Sequence, residues 1–314
     1  MRIILLLWAG IGCTLMLVYS IRPDAFSAIT FIPAWAWLVL VIPIIPLLRR
    51  KYRWPALACG MAWLIFVGWH VEEVRSVLRG ALSPVQRQKM ANEIRLVSFN
   101  CGCGREDALT EVAAWAPDIV FIQESPSRKD VENLTFKLFG AEGTYIWDID
   151  TSIMAKGKMQ NLRPKTGTPF YSLVLLTSQS RGEVVLASVR LWSGNPDINL
   201  WNPECWRHQA KLRKLQLQQM SLLVKNLDTS KPLIVAGDFN VPQGDKIFSL
   251  LPNILYDSFS AQGRGIGNTV MNDMPLMRFD QIWISRDFKI IQSFAVKSSI
   301  SDHRMVISDV QISR

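Results

Sequence analysis

Cysteines are few, and their spacing excludes the common cysteine-based architectures. The chain of 314 residues contains five of them, and an odd number without paired spacing does not indicate a disulfide framework. Cys101 and Cys103 are separated by one residue, which differs from the CxxC spacing of zinc and redox sites. We therefore expect neither a disulfide framework nor a structural zinc site.

Charged residues are also scarce, at 19% of the chain, and they are unevenly distributed. Residues 1–93 carry 10 Lys and Arg against 4 Asp and Glu, a net charge of +6, whereas residues 94–314 carry 25 against 22, a net charge of +3. The excess therefore belongs to the N-terminal third, as expected for the positive flanks of membrane spans. The sequence does not indicate a strongly basic domain that binds nucleic acid indiscriminately.

Three uncharged apolar segments occupy residues 3–21, 28–48 and 54–71. A bilayer-spanning helix needs about 20 apolar residues, so we predict that residues 1–71 form a transmembrane anchor of about three helices. Two alternatives stay open. The first segment resembles a signal peptide, although it lacks a small-x-small cleavage site and further apolar segments follow it. The third is short enough to be a buried helix of a soluble protein.

The distribution of Lys and Arg predicts the orientation of this anchor. A basic cluster follows the second segment at residues 49–53, whereas the first loop has only Arg22. If the cluster is cytoplasmic, the chain leaves the membrane after the third segment on the outer side. A predicted linker at residues 72–93 argues for the opposite orientation, because it also contains basic residues: Arg75, Arg79, Arg87 and Lys89.

Residues 94–314 have the pattern of a soluble domain in which helices and strands are mixed, which indicates an α/β or α+β sheet protein. The predicted strands are residues 94–100, 118–123, 170–177, 183–191, 232–237, 280–285, 288–296 and 305–312, and the predicted helices are residues 105–116 and 204–226.

Polar residues follow or begin several of these strands. They are Asn100, Glu124, Asp238, Asn240, Asp280, Asp302 and His303. Taken singly, each is compatible with an ordinary turn or a solvated strand end. Strand ends at one rim of a sheet converge in space, however, and carboxylate and amide oxygens there suit Mg²⁺ or Mn²⁺. A neighbouring His adds acid–base capacity and a cation for phosphate.

The motifs SFN, DIVFIQE, IVAGDFN, RFDQIWIS and SDHR follow one another in residues 94–314. This series resembles the endonuclease/exonuclease/phosphatase superfamily, which includes pancreatic-type deoxyribonucleases, apurinic endonucleases, bacterial sphingomyelinases and inositol-polyphosphate 5-phosphatases. GRGIGNTV followed by PLMRFDQIWIS is similar to its bacterial membrane-anchored branch. The resemblance implies a four-layer α/β sandwich of two packed mixed sheets and a metal-dependent hydrolase of phosphoesters.

The resemblance also implies a metal and substrate site. Glu124 is the expected main ligand of Mg²⁺ (or Mn²⁺), supported by Asn100 and Asp302 either directly or through water. Asn268 and Thr269 are expected to contact the phosphate of the substrate. Arg213 and Gln216 match a family pattern to which we assign a structural role.

Four residues receive catalytic roles from the same resemblance. Asp238 is expected to orient or deprotonate the attacking water, and Asn240 to hold either the phosphate or Asp238. His303 is expected to hydrogen-bond a phosphoryl oxygen, while Asp280 braces the imidazole and fixes its tautomer.

Arg190 departs from the family pattern, because many members have His in the corresponding strand, where it serves the leaving group. A guanidinium stays protonated, so it can stabilise developing charge but does not readily donate a proton. Two interpretations are open: Arg190 is a catalytic cation beside the leaving group, or it is a solvated residue and the alignment of ASVRL is shifted.

The predicted function is a membrane-anchored metal-dependent hydrolase of phosphodiester (or phosphomonoester) bonds, with nucleic acid as one candidate substrate, for which it would be a nuclease. The alternative is a phosphodiesterase of phospholipid or sphingomyelin headgroups, and a third option is a non-catalytic binding domain tethered to the membrane. The expected partners are the phosphoester substrate and the lipid bilayer, and the sequence predicts no protein partner.

Overall fold

The computed structural model describes residues 2–49, 51–83, 88–164, 170–178, 182–194 and 199–313. Outside these ranges lie Arg50, Arg87 and most of the segment between the predicted strands 170–177 and 183–191. The N-terminal region is helical, with α1 (Arg2–Ile21), 3-10 helix Asp24–Phe26, α2 (Ser27–Thr30), 3-10 helix Ala34–Arg49, α3 (Arg53–His70) and α4 (Glu72–Leu78).

Among the residues described, no single helix is both long and apolar enough to cross a membrane. Two pairs of helices satisfy the criterion together, but they are bent by 63° between Thr30 and Ala34 and by 74° between His70 and Glu72. The second apolar segment, predicted as one continuous helix, is thus interrupted before the 3-10 helix, where Pro33 lacks the backbone donor that a continuous helix needs. The predicted spans stay a prediction.

The C-terminal region begins at β1, and each strand predicted for it is present. Its strands are β1 (Ile94–Asn100), β2 (Ile119–Gln123), β3 (Gly143–Trp147), β4 (Thr151–Lys156), β5 (Lys158–Asn161), β6 (Tyr171–Ser178), β7 (Gly182–Arg190), β8 (Leu233–Asp238), β9 (Leu255–Asp257), β10 (Asp280–Ser285), β11 (Phe288–Val296) and β12 (Met305–Ile312). Its helices are α5 (Glu106–Ala113), α6 (Arg128–Phe139), α7 (Pro203–Asn226) and α8 (Ser258–Gln262), with 3-10 helices Gly140–Glu142 and Lys246–Leu250.

The strands form two mixed six-stranded sheets, in the orders β11-β12-β1-β2-β4-β3 and β5-β6-β7-β8-β10-β9. The pairs β1–β2 and β7–β8 are parallel. One apolar core lies between the sheets, a second packs α7 on the outer face of one sheet, and a third packs α5 and α6 on the outer face of the other. The predicted four-layer α/β sandwich of two packed mixed sheets is therefore confirmed.

Alternation along the strands decides which side chains enter the inner core. In β1, Ile94 and Leu96 face the opposite sheet, while Val97 and Phe99 pack against the outer helices. The inner positions of β8 and β10 follow the same period of two. Burying each such side chain contributes roughly 1.5–3 kcal/mol, which fixes the strand register, because a slip of one residue would expose the whole row.

The helical N-terminal region contacts the sandwich at several points. After α1, Arg22 donates from Nη1 to the carbonyl of Gln243 at 2.7 Å, and Asp24 pairs with Arg213 at 2.7 Å. Glu72, in the predicted linker, pairs with buried Arg278 at 2.9 Å. The division into residues 1–71, 72–93 and 94–314 stays a prediction, but the first part of that linker is helical and packed.

Candidate active site

The site lies at the end of the sandwich where the side chains that face the opposite sheet change from apolar to polar. Gln123 lies between Ser98 and Ser188, accepting a hydrogen bond from Ser98 Oγ at 3.4 Å and donating one to Ser188 Oγ at 3.2 Å. Two residues beyond Ser98, Asn100 occupies the next inner position of β1. By the same alternation, Asp238 in β8 and Asp280 in β10 occupy positions that face the opposite sheet. Hydrophobic periodicity thus places these polar groups at one end of the cleft between the sheets.

His303 and Asp280 form the predicted pair. His303 Nδ1 lies 2.8 Å from Asp280 Oδ2, and the two side chains are 11% and 0% exposed. Thr269 Oγ1 accepts the backbone N–H groups of Phe279 and Asp280, each at 3.2 Å. The backbone N–H of His303 donates to Ser301 Oγ at 3.0 Å. Both members of the pair are therefore fixed by backbone hydrogen bonds as well as by each other.

Asp238 lies beside this pair and is almost completely surrounded by donors. Its Oδ2 accepts from Asn100 Nδ2 and Asn240 Nδ2, both at 3.0 Å, and its Oδ1 accepts from Asn240 N at 2.9 Å. A carboxylate offers about four acceptor positions, so one remains for a water molecule. The preceding Gly237 is required, because a Cβ there would lie 1.9 Å from the carbonyl oxygen of Val189.

Glu124 lies across the site from this carboxylate, in a left-handed backbone conformation with φ of 48°. Such a conformation costs a non-glycine residue about 1–3 kcal/mol and is concentrated at functional sites. Glu124 Oε2 accepts from the backbone N–H of Cys103 at 2.5 Å, and Oε1 accepts from Asn100 Nδ2 at 3.3 Å. Burial opposes ionisation, but the Cys103 N–H, Arg190 and Asn100 outweigh it and lower the pKa of Glu124.

Arg190 lies inside the site and contacts two carboxylates. Its Nη2 donates to Glu124 Oε1 at 2.8 Å and its Nη1 to Asp150 Oδ1 at 3.3 Å, with 26% of the side chain exposed. This geometry is not that of a solvated surface residue, which was one of the two interpretations of Arg190. The leaving-group role of Arg190 stays a prediction.

The two halves of the site have different electrostatics. Burial and then Asp280 raise the pKa of Asp238 to about 6, although His303 and the amide donors oppose the shift. Burial alone would lower the pKa of His303, but Asp280 and Asp238 outweigh it and raise that pKa to about 10. At neutral pH an imidazolium therefore lies between two carboxylates, while Glu124 is ionised on the other side.

The other predicted site residues differ in how close they come to this centre. Asp302 is exposed at the rim, and a Cβ on Gly102 would lie 2.9 Å from its Oδ1, so glycine lets the carboxylate approach the end of β1. Asn268 is buried and donates from Nδ2 to Glu73 Oε1 at 2.8 Å. Thr269 is 0% exposed and holds the backbone at Asp280. The structure thus gives Asn268 and Thr269 supporting contacts; their predicted contact with phosphate stays a prediction.

Sequence reasoning missed several participants. Asp150 pairs with Arg190, the Cys103 N–H binds Glu124, and Ser301 Oγ donates to the carbonyl of Asn100 at 2.7 Å. Ser301 directly precedes Asp302 and His303 in the SDHR motif, so the motif could have identified it. Asp150 lies in a short turn whose sequence has no periodicity or motif, so nothing local pointed to it.

Two groups of side chains are candidates for holding a cation. Ligand atoms of Asp238, Asp280 and His303 lie within 4.8 Å of one another, and Asp280 Oδ1 is buried without a hydrogen-bond partner among the residues described. Within this group, His303 Nδ1 is already engaged by Asp280 Oδ2 at 2.8 Å, and Asp238 accepts hydrogen bonds from Asn100 and Asn240. The second candidate position is Glu124, which is half-buried and accepts from Asn100 Nδ2, with Asp302 exposed at the rim; its role as a metal ligand stays a prediction.

Comparison with known proteins decides the family. The sequence profile of the Endonuclease/Exonuclease/phosphatase family matches residues 97–303. The chain belongs to this family. The match spans every strand end that contributes to the site, and it confirms the resemblance that the motifs indicated. The membrane-anchored branch stays a prediction, and no curated protein matches the chain.

Solved structures of the family share the fold. A humanized TDP2 from D. rerio, bearing 14 mutations, is 17% identical with a TM-score of 0.51, over 70% of this chain and 100% of that chain. The mannosyl-6-phosphatase of Bacteroides thetaiotaomicron is 15% identical with a TM-score of 0.50, over 69% and 99%. An endonuclease/exonuclease/phosphatase from Beutenbergia cavernae is 13% identical with a TM-score of 0.51, over 71% and 72%. At such identities the likeness shows the fold alone.

Proposed function

We propose that this family member is a Mg²⁺- or Mn²⁺-dependent phosphoester hydrolase attached to a membrane by its N-terminal third. The observation that carries the catalytic part is the convergence, at one end of the sandwich, of an ionised Glu124, a buried Asp238 and the His303–Asp280 pair. These groups supply what hydrolysis of a phosphoester needs: a cation site, a base and a positive charge for the phosphoryl group.

The residues present fit a divalent cation. Glu124 is the strongest candidate ligand, since its carboxylate is ionised and only half-buried. Asn100 Oδ1 already accepts the N–H of Gly102 at 2.9 Å, and an amide oxygen has a second lone pair for a ligand or its water. Asp302 completes an all-oxygen set of the kind that Mg²⁺ prefers. When bound, the cation supplies Lewis-acid polarisation of a phosphoryl oxygen.

Side chains of the protein supply the base and the donor to the phosphoryl oxygen. Asp238 has one unused acceptor position and accepts the proton of the attacking water, while Asn240 and Asn100 hold its carboxylate in place. His303 uses Nδ1 for Asp280, which leaves Nε2 as the donor to a phosphoryl oxygen. Its positive charge is already present at neutral pH, so it stabilises charge without waiting for a proton.

Arg190 adds a second fixed cation to this site. It contacts Glu124 and Asp150 and offsets their negative charges, which reduces the repulsion that an anionic phosphoester meets at the mouth of the site. It cannot replace the leaving-group His as a proton donor, because a guanidinium does not deprotonate in the relevant pH range. Substrates with acidic leaving groups should therefore be favoured over alkyl phosphoesters.

The positions of the interdomain contacts support the membrane topology. The loop after α1 reaches the sandwich through Arg22 and Asp24, and so does α4, which follows α3. With three spans, these two segments would emerge on the same side of the bilayer. The basic residues 49–53 would then lie on the opposite, cytoplasmic side, and the catalytic domain would be periplasmic. A C-terminal reporter that is active only in the cytoplasm would refute this orientation.

Two substrate classes remain, namely nucleic acid and lipid headgroups. Exposed apolar side chains at the rim favour the lipid alternative. Met271 is 52% exposed, and its neighbour Asn272 donates from its backbone to the carbonyl of Asp302 at 2.8 Å. Trp192, two residues after Arg190, is 59% exposed. Aromatic residues also stack on bases, so a nuclease is the second candidate. The complete acidic and His set opposes a non-catalytic binding domain.

The proposal is tested with the full chain purified in detergent. Plasmid DNA, single-stranded RNA, sphingomyelin vesicles and a nitrophenyl phosphodiester are each incubated with Mg²⁺, with Mn²⁺ and with EDTA. Asp238→Asn, which preserves shape but removes the base, serves as the inactive control. We expect cation-dependent release of product from at least one substrate and loss of that activity in the variant. Activity that survives both EDTA and Asp238→Asn would contradict the proposed chemistry.

A further inference from the structure

A buried ion-pair network joins α4 to the catalytic domain. Arg278 is 0% exposed, and its guanidinium donates from Nε and Nη2 to the two oxygens of Glu72 at 3.0 and 3.1 Å. Its Nη1 and Nη2 also donate to Asp257, at 3.1 and 2.5 Å. One of the two carboxylates that neutralise this arginine therefore comes from the helical N-terminal region.

Arg278 lies close in sequence to Asp280, one member of the His303–Asp280 pair. The next residue, Phe279, packs against Phe31 of the N-terminal region with ring centroids 5.7 Å apart. The residue after it is Asp280, which holds His303. The backbone that presents Asp280 is thus fixed on its N-terminal side by two successive contacts to residues outside the family domain.

A second contact from α4 reaches the same place from another segment. Glu73 Oε1 accepts from Asn268 Nδ2 at 2.8 Å, and the neighbouring Thr269 holds the backbone N–H groups of Phe279 and Asp280. The carbonyl of Thr269 accepts the N–H of Arg304 at 2.8 Å. Adjacent glutamates of one helix thus support both segments that position the His303–Asp280 pair.

We propose that Glu72 and Glu73 are positioning residues of the active site, and that α4 couples the helical N-terminal region to catalysis. The catalytic unit then begins near residue 72 rather than at β1. The inference rests on the proposed hydrolase function. Removal of one partner from a buried ion pair leaves charge without compensation, so the chain around Arg278 rearranges and displaces Asp280.

The competing explanation is that the network only stabilises the fold. A matched control is available, because Arg95 and Asp309 form another buried ion pair, with both contacts at 2.7 Å and side chains 5% and 0% exposed. Arg95 lies near the start of β1, away from the end that holds Asn100. Asp309→Asn therefore removes an equally buried carboxylate without touching the supports of Asp280.

The experiment compares Glu72→Gln, Glu73→Ala and Asp309→Asn in the full chain, below the melting temperature of each variant. We expect both glutamate variants to lose about tenfold or more in kcat with KM changed less than about twofold, since small misplacement of catalytic groups has large effects. Hydrogen exchange over residues 268–280 should be faster in both. Asp309→Asn should lower the melting temperature and leave kcat and the exchange of residues 268–280 unchanged.

Each outcome is decisive. If the glutamate variants match Asp309→Asn in kcat and in exchange, α4 is merely structural and the inference is wrong. If Glu72→Gln does not fold, Glu73→Ala decides, because it removes the acceptor of a single hydrogen bond. If the wild type hydrolyses no substrate, the proposed function fails, whereas hydrogen exchange still tests the coupling between α4 and residues 268–280.

Discussion

Replacing Asp280 with Asn should remove the charge that keeps His303 protonated. The two side chains are joined by a 2.8 Å contact, and His303 is only 8% exposed. Burial lowers the pKa of His303, and Asp280 is the largest influence that raises it, to about 10. Without that carboxylate, burial brings the pKa of His303 down, so that the imidazole is largely neutral at physiological pH.

The size of the effect follows from this change. A histidine with a pKa near 6.5 is only about one-tenth protonated at pH 7.5, which alone reduces kcat/KM about tenfold. Lost orientation and tautomer control add to this, for a total of about 10²–10³-fold. His303→Ala should cost about 10³-fold. If the residues act as a unit, the double variant should also lose about 10³-fold, instead of the ~10⁵-fold or more expected for independent defects.

The assay is a double-mutant cycle of kcat/KM with a nitrophenyl phosphodiester at saturating Mg²⁺. A gap of about 100-fold between the product of the single defects and the double variant corresponds to a coupling of about 2.7 kcal/mol. Circular dichroism and melting temperatures establish that each variant is folded. Defects that multiply within a factor of about three would refute the pairing as a catalytic unit, whatever the distance between the side chains.

Three further predictions concern the rest of the site. Glu124→Gln keeps the shape but removes the charge that a hard cation needs, so activity should be lost with the circular dichroism spectrum retained; unchanged activity at saturating Mg²⁺ would remove Glu124 from the site. Arg190→His should narrow the preference for nitrophenyl over alkyl phosphodiesters across about pH 6–9, because imidazole can protonate an alkoxide; a constant ratio would dispose of the leaving-group role. Burial raises the pKa of Asp238 to about 6, and a base must be ionised, so kcat/KM should decline below about pH 6. The pKa of His303 near 10 should delay any alkaline decline of kcat/KM to above about pH 9. A decline that begins only near about pH 4 would contradict the assignment of Asp238 as the base.

The sequence was most informative where strand periodicity and motif coincide. Because Asn100, Asp238 and Asp280 each continue or begin the inner row of a strand, the alternation that buries Ile234 and Ala236 also determines where Asp238 points. Motif order identified His303, which lies before the first residue of β12 and forms an isolated β-bridge with Val270. Strands β3, β4, β5 and β9 were not predicted. Their period of two is brief or interrupted, and the inner positions of β4 are partly polar, with Thr151 contacting Ser172 at 2.9 Å.

Side-chain pairing between distant segments could not be predicted, because no local pattern encodes it. Asn268 was assigned to phosphate from the motif around it, yet its amide binds Glu73, 195 positions away in the chain. The same limit applies to residues 72–93, whose composition indicated a linker and whose first helix instead supplies Glu72 to Arg278.

The partners of Arg190 and Asn268 follow from related physical reasons. A family motif reports which residue types a site needs, but each side chain takes the partner that satisfies its charge and hydrogen bonds in this particular chain. The family resemblance places Arg190 where many members are expected to have His, and its permanent charge pairs with Glu124 and Asp150. Asn268 is buried, so its amide needs an acceptor, and α4 provides one. The supports of the candidate site therefore depend on how the sandwich and the helices before it pack together in this chain.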